Sequence, residues 1–141
     1  MKIYAESSAV LAWLFGEPEG EKMRKVLGEA EVIVASDLTL VESERVLLRA
    51  QIIAEVTEVQ AADRRAVLNQ AAVHWHFLHL SRDVLERARR PFPNEPVRTL
   101  DALHLSSALL GRSVFPGLIV LSLDERIRSN AYALGFDLFP E

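Results

Sequence analysis

Cysteine is absent from the 141-residue chain. This excludes disulfides, thiol catalysis, cysteine-bound zinc and iron–sulfur ligation. Lysine does not occur after Lys25, and Lys plus Arg (16) fall short of Asp plus Glu (20), giving a formal net charge of −4. Binding of nucleic acid by bulk charge alone is thereby disfavoured, although a bound cation and a local basic patch remain open to the chain. No long apolar run is present. The stretch Ala9–Phe15 is far too short to span a bilayer, and Glu6 interrupts the segment in a way that a signal peptide would not. No internal repeat, low-complexity tract or linker divides the chain. Half of the residues are hydrophobic and 26% are charged, a balance that supports a packed core. The expectation is one domain over residues 1–141, in a reducing cytoplasm, with no membrane association.

Short apolar runs alternate with longer stretches of helical period. Lys2–Ala5, Glu31–Ala35, His74–Leu80, Leu118–Leu121 and Phe136–Phe139 read as strands. Ser7–Phe15, Glu19–Ala30, a segment from Ser36 or Asp37 to about Ala54, Thr57–Ala71, Ser81–Arg90, Thr99–Arg112 and Asp124–Leu134 read as helices. Pro91–Arg98 holds three prolines and reads as loop. The order βααβααβααβαβ implies an α/β fold with a parallel sheet covered on both faces. In such sheets, ligands bind outside the carboxyl ends of the strands. Helices that follow strands begin at that same edge.

Four acids fall there. Glu6 ends the first strand, Glu42 lies early in the helix after the second, Asp101 is in the first turn after Thr99, and Asp124 follows the fourth strand. Each has a purely structural reading: a helix-start carboxylate, or for Glu42 a pairing with Arg45. Taken together they read differently. Glu6 and Asp101 are flanked by apolar residues, and a carboxylate at the edge of a core is costly unless a cation compensates it. An all-carboxylate set suits a hard ion, Mg²⁺ or Mn²⁺. Such an ion activates water and neutralises charge on a phosphate in the transition state. The chemistry is metal-assisted phosphodiester hydrolysis.

The residues around these acids resemble the PIN domain, and within it the VapC-type toxins of toxin–antitoxin pairs. The likeness is carried by Ile3-Tyr4-Ala5-Glu6-Ser7-Ser8-Ala9-Val10, by Leu40-Val41-Glu42, and most specifically by Arg98-Thr99-Leu100-Asp101-Ala102-Leu103-His104-Leu105. It is completed by Val120-Leu121-Ser122-Leu123-Asp124 with Ala131, Leu134 and Gly135. The resemblance implies a three-layer α/β/α sandwich with strand order 3-2-1-4-5. It implies a ribonuclease site dependent on Mg²⁺ or Mn²⁺, with Glu6, Glu42, Asp101 and Asp124 as catalytic and metal-binding residues. It also implies an RNA substrate, frequent homodimers and a small cognate antitoxin. The first acid departs from the pattern: the family normally has Asp where this chain has Glu6. Ser8 matches a hydroxyl that the family places near the metal.

Other residues carry weaker signals. Arg98, with Arg82, Arg87, Arg89 and Arg90, could line an RNA path, and Arg45 with Arg49 offers a second phosphate contact. His74 and His76 would share a strand face as a possible metal pair, and His104 follows Asp101 by one turn. Trp13 and Trp75 read as core. Leu47, Leu48, Ile52 and Ile53 suggest exposed apolar helix surface for a dimer or partner. A receiver-type signalling module would need a phospho-accepting Asp after the third strand and a later Lys, and the chain has neither. A PIN-fold protein that binds without cleaving is the remaining alternative, and Glu6 is its only support.

Overall fold

The computed structural model describes all residues, Met1–Glu141. Five strands, β1 (Lys2–Ala5), β2 (Val32–Ser36), β3 (His76–Leu78), β4 (Ile119–Leu121) and β5 (Asp137–Phe139), form one sheet. Its order is β3-β2-β1-β4-β5, and every neighbouring pair is parallel. Seven helices alternate with the strands: α1 (Ser7–Leu14), α2 (Gly20–Glu29), α3 (Asp37–Ile52), α4 (Glu58–Ala72), α5 (Arg82–Ala88), α6 (Thr99–Val114) and α7 (Glu125–Ala133).

The period-2 alternation of the central strand assigns the two faces. Ile3 and Ala5 pack into a cluster with Ala9, Val10, Met23, Leu68 and Trp75 from the α1, α2 and α4 side. Tyr4, between them, points into the opposite cluster with Leu105 and Ala108 of α6 and Ile127 and Ala131 of α7. The sheet is therefore the middle of three layers, as a fully covered parallel sheet requires. Gly20 lets α2 approach α1 closely: a Cβ there would meet the Ala12 carbonyl oxygen at 2.3 Å. No helix is long and apolar enough to cross a membrane.

Side-chain caps start the helices where the sequence suggests. Ser36 accepts from the Leu38 amide, Thr57 forms a capping box with Gln60, and Ser81 accepts from the Val84 amide. The third strand is shorter than the alternating stretch His74–Leu80. The amides of His74 and Trp75 donate back to Ala71 and Ala72, so these residues complete the exit from α4. His74 and His76 accordingly share no strand face. His76 lies against the Phe115 ring, and His79 pairs with Asp37 at 2.7 Å. Trp75 is buried in the core and Trp13 packs against it. Leu47, read as exposed, is fully buried, whereas Leu48, Ile52 and Ile53 are exposed. Leu47 and Leu48 are neighbours on a helix and cannot share a face.

Candidate active site

The carboxyl ends of β1, β2 and β4 converge on a cavity of about 410 Å³. Glu6, Glu42, Asp101 and Asp124 all line it, with His104, Arg98 and Arg126. Glu6 immediately follows β1, Glu42 lies on α3, Asp101 in the first turn of α6, and Asp124 caps α7. Four segments far apart in sequence thus meet because parallel strands deliver their ends to one edge.

Glu6 is 5% exposed. Its Oε2 accepts from the Ser8 amide at 3.1 Å, from the Ser122 hydroxyl at 2.8 Å, and from the Ser8 hydroxyl. The same two hydroxyls accept from the Leu123 and Asp124 amides, at 2.8 and 3.1 Å. This network caps α1 and ties the end of β1 to the end of β4. Burial pushes the Glu6 carboxyl above its ordinary value, against the opposing pull of the His104 charge and the serine donors.

Glu42 accepts from the Ser7 hydroxyl at 2.8 Å and bonds His104 Nε2. Nδ1 of His104 lies 3.1 Å from the Tyr4 hydroxyl, at the centre of the sheet. The His104 imidazole is 2% exposed. Burial pulls its pKa down, but the bond to Glu42 and the charges of Glu6, Glu42 and Asp101 outweigh burial and raise it. Burial also raises Glu42, and the His104 and Ser7 bonds more than reverse it, holding the carboxyl low. The His104–Glu42 contact, anchored on Tyr4 through the other ring nitrogen, fixes one face of the cavity.

Asp101 is raised by burial and by the charge of Asp124, with Arg126, His104 and Arg98 opposing. Asp124 accepts from the Arg126 amide at 2.9 Å and from its Nε at 3.4 Å. No three His, Asp or Glu groups already stand at metal-ligand spacing. Mg²⁺ does not require such a cage: it keeps several waters and takes one or two carboxylates directly. Two of the four carboxyls are held above their ordinary values by burial and neighbouring negative charge, which is the electrostatic condition a divalent cation relieves. The donor set fits a hard cation.

Not every residue expected at the site reaches it. The Ser8 hydroxyl bonds Glu6 and the Leu123 amide and does not itself line the cavity. Arg45 lies in a separate groove with Val46, Leu48, Arg49 and Ile52. Arg98 lines the acid cavity. Ser7, Ser122 and Tyr4 are supporting residues that no reading of the chain singled out. The signals available were hydroxyls beside two of the acids and a phenol inside an apolar strand.

A PIN domain family model matches residues 3–132. The chain belongs to the PIN domain family. It is 33% identical over 138 residues to Ribonuclease VapC46 of Mycobacterium tuberculosis, covering 94% of this chain and 92% of that protein. Among solved structures, it resembles VapC20 of Mycobacterium tuberculosis, described as a sarcin-ricin loop cleaving toxin. The TM-score there is 0.66 at 15% identity, over 96% of both chains. A toxin–antitoxin complex from Klebsiella pneumoniae gives a TM-score of 0.64 at 16% identity, over 100% of this chain and 98% of that one. VapBC2 of Rickettsia felis, bound to a promoter DNA fragment, gives 0.63 at 9% identity, over 98% and 97% of the two chains. At these identities the structural likeness is one of fold, and the observed sheet order is the one that the PIN resemblance implies.

The raised carboxyl of Glu6 has a consequence for stability. A group whose folded pKa is raised stabilises the fold below its ordinary pKa and loses that contribution as pH rises through the folded value. Ionisation of Glu6, as pH rises through that value, therefore weakens the cation-free protein. Adding Mg²⁺ or Mn²⁺ at a hundred times its Kd should raise Tm on the order of 10 °C near pH 7. The rise should shrink as pH falls through the raised value of Glu6, at a higher pH than an ordinary carboxylate would give, because protonated Glu6 competes with the cation. Differential scanning fluorimetry across pH measures this, and a Tm indifferent to both ions at neutral pH would count against a cation site.

Proposed function

We propose that the chain is a divalent-metal-dependent endoribonuclease that hydrolyses RNA phosphodiester bonds, and that it is the toxin of a type II toxin–antitoxin pair. The observation that carries this is the convergence of Glu6, Glu42, Asp101 and Asp124 on one cavity flanked by arginines, in a PIN-family chain. The kinship with a protein named as a ribonuclease supports the same reading. Glu6, Glu42, Asp101 and Asp124 are assigned as the catalytic and metal-holding residues. Mg²⁺ or Mn²⁺, when bound, makes water a better nucleophile and offsets phosphate charge. The chain's own residues do the positioning. Ser7 and His104 orient Glu42, the Ser8 and Ser122 hydroxyls orient Glu6, and Asp124 is held by its cap to α7. Arg98 and Arg126 supply the positive charge that draws a polyanion to an otherwise acidic cavity.

The test is cleavage of single-stranded RNA by the purified chain. Mg²⁺ or Mn²⁺ should permit cutting, EDTA should abolish it, and re-addition of metal should restore it. Cleavage that persists in EDTA would refute the metal-dependent reading.

The proposed partners are an RNA substrate, a small cognate antitoxin in the same cytoplasm, and a second copy of the chain. Exposed Leu48, Ile52 and Ile53 on and just after α3 favour the homodimer. Light scattering at tens of micromolar should give twice the monomer mass; a clean monomer would remove that assignment.

A further inference from the structure

A second cleft of about 340 Å³ adjoins the acid cavity, and Arg98, Asp101 and Arg126 line both. Beyond that shared wall its lining is mainly polar, with Asn94, Ser129 and Asn130. The loop that carries Asn94 joins α5 to α6 and is firmly held without regular structure. Glu95 accepts from the Phe92 amide at 2.7 Å and from the Val97 amide at 2.8 Å. Asn130 of α7, 3% exposed, clasps the backbone of Asn94 from both sides. Its Oδ1 accepts from the Asn94 amide at 2.9 Å, and its Nδ2 donates to the Asn94 carbonyl at 3.2 Å. The Asn94 side chain donates from Nδ2 to the Ser129 carbonyl at 3.2 Å. That bond settles which end of the amide is oxygen. It leaves Oδ1 as a free acceptor and the second Nδ2 hydrogen as a free donor on an exposed side chain.

A fixed acceptor–donor pair is what a protein uses to read the edge of an unpaired base. Arg98 is exposed, and its side chain is not spent on capping α6. It stands between the acids and Asn94, where the backbone of a strand crossing from one cavity to the next must pass. The cleft is at the small end of ligand sites, the scale of one nucleotide and not of a folded RNA element. We infer that this cleft is a nucleotide-selecting subsite of single-stranded RNA. Arg98 contacts the phosphate next to the scissile one, and the Asn94 amide contacts the adjoining base and sets a preference at the cut. The inference rests on the ribonuclease reading and names how that site chooses its substrate.

The experiment is metal-dependent cleavage of a randomised single-stranded RNA, with the ends of the products sequenced, for the parent, Asn94→Ala and Asn94→Asp. The parent should show a base preference at a position adjoining the cut. Asn94→Ala should reduce that preference by about 10-fold or more and lower kcat/KM on the preferred sequence. The backbone bonds of residue 94 to Asn130 do not involve the replaced side chain, so the loop keeps its place. Asn94→Asp replaces both N–H donors by acceptors, giving up the bond to the Ser129 carbonyl, and should move the preference to a different base, which a merely structural role of Asn94 would not do. If both variants cleave with the parent's preference, or the parent has none beside the cut, the subsite is wrong while the nuclease reading stands. If the parent cleaves no RNA in either metal, the nuclease reading fails, and the subsite inference falls with it.

Discussion

Replacing Asp101 by Asn should lower metal-dependent RNA cleavage by roughly 100-fold or more, since even residues that only support a metal ligand cost 10- to 100-fold when lost. The substitution is nearly isosteric and removes a charge from the site. Asp101 opens α6 at the edge where Arg98 begins and Asp124 approaches, and its carboxyl is raised by burial and by that neighbour's charge. The ionised form is thus unfavourable in the cation-free protein. Asn relieves that repulsion, so the variant should fold at least as stably as the parent without metal. Loss of cleavage with an unchanged or higher Tm separates a functional role from a folding role. A variant that cleaves at the parent's rate would show that Asp101 holds no cation.

Glu6 provides the second large effect. Its Oε2 is held by two serine hydroxyls and a backbone amide, and no hydrogen bond is made to Oε1. The pocket is fitted to the length of a glutamate. Glu6→Asp withdraws the carboxylate by roughly a bond length, about 1.5 Å. A strand end paired on both sides cannot follow it. Metal affinity should fall by about 10-fold or more and cleavage with it. Glu6→Gln keeps the reach and loses the charge, and cleavage should fall by a comparable factor or more. Its cation-free stability should rise at a pH where Glu6 is ionised, because the buried charge is then gone. Metal titration and RNA cleavage of the three proteins decide the matter. A clear gain with Asp and no loss with Gln would mean that Glu6 is a disabled ligand, and a PIN-fold protein that binds without cleaving would become the better account.

The order of elements was legible because strands of a covered parallel sheet are short and apolar while the helices between them carry a 3.6-residue period. Thr57, Ser81 and Ser36 marked helix starts through their hydroxyls, and the structure uses all three. The sheet order itself came from the PIN resemblance, since periodicity does not rank strands. The stretch His74–Leu80 misleads for a physical reason: its alternation begins while the chain is still leaving α4, and hydrogen bonds back to that helix outrank side-chain pattern. The burial of Leu47 beside an exposed Leu48 depends on the rotation of α3 against α1 and α4, which composition does not reveal.

The four acids were legible as a set because each sits at a strand end or helix start on one edge. Their supporting shell was not. His104 was visible as the next turn after Asp101, but its bond to Glu42 crosses between helices that meet only in the folded chain. Tyr4 read as one more apolar residue in a buried strand, although its hydroxyl reaches His104. Ser122 joined Glu6 across paired strands, a contact of register and not of sequence. Ser8 was placed near the metal by resemblance; here its hydroxyl bonds Glu6 and does not itself line the cavity.

The most direct measurement is a crystal structure of the parent grown with Mn²⁺, with the ion located by its anomalous scattering. The expected result is a peak inside the cavity at coordination distance from at least two of Glu6, Glu42, Asp101 and Asp124, lost in Asp101→Asn. A protein that cleaves RNA in Mn²⁺ but binds the ion elsewhere, or shows no peak at saturating Mn²⁺, would contradict the assignment of these four carboxylates as its metal site.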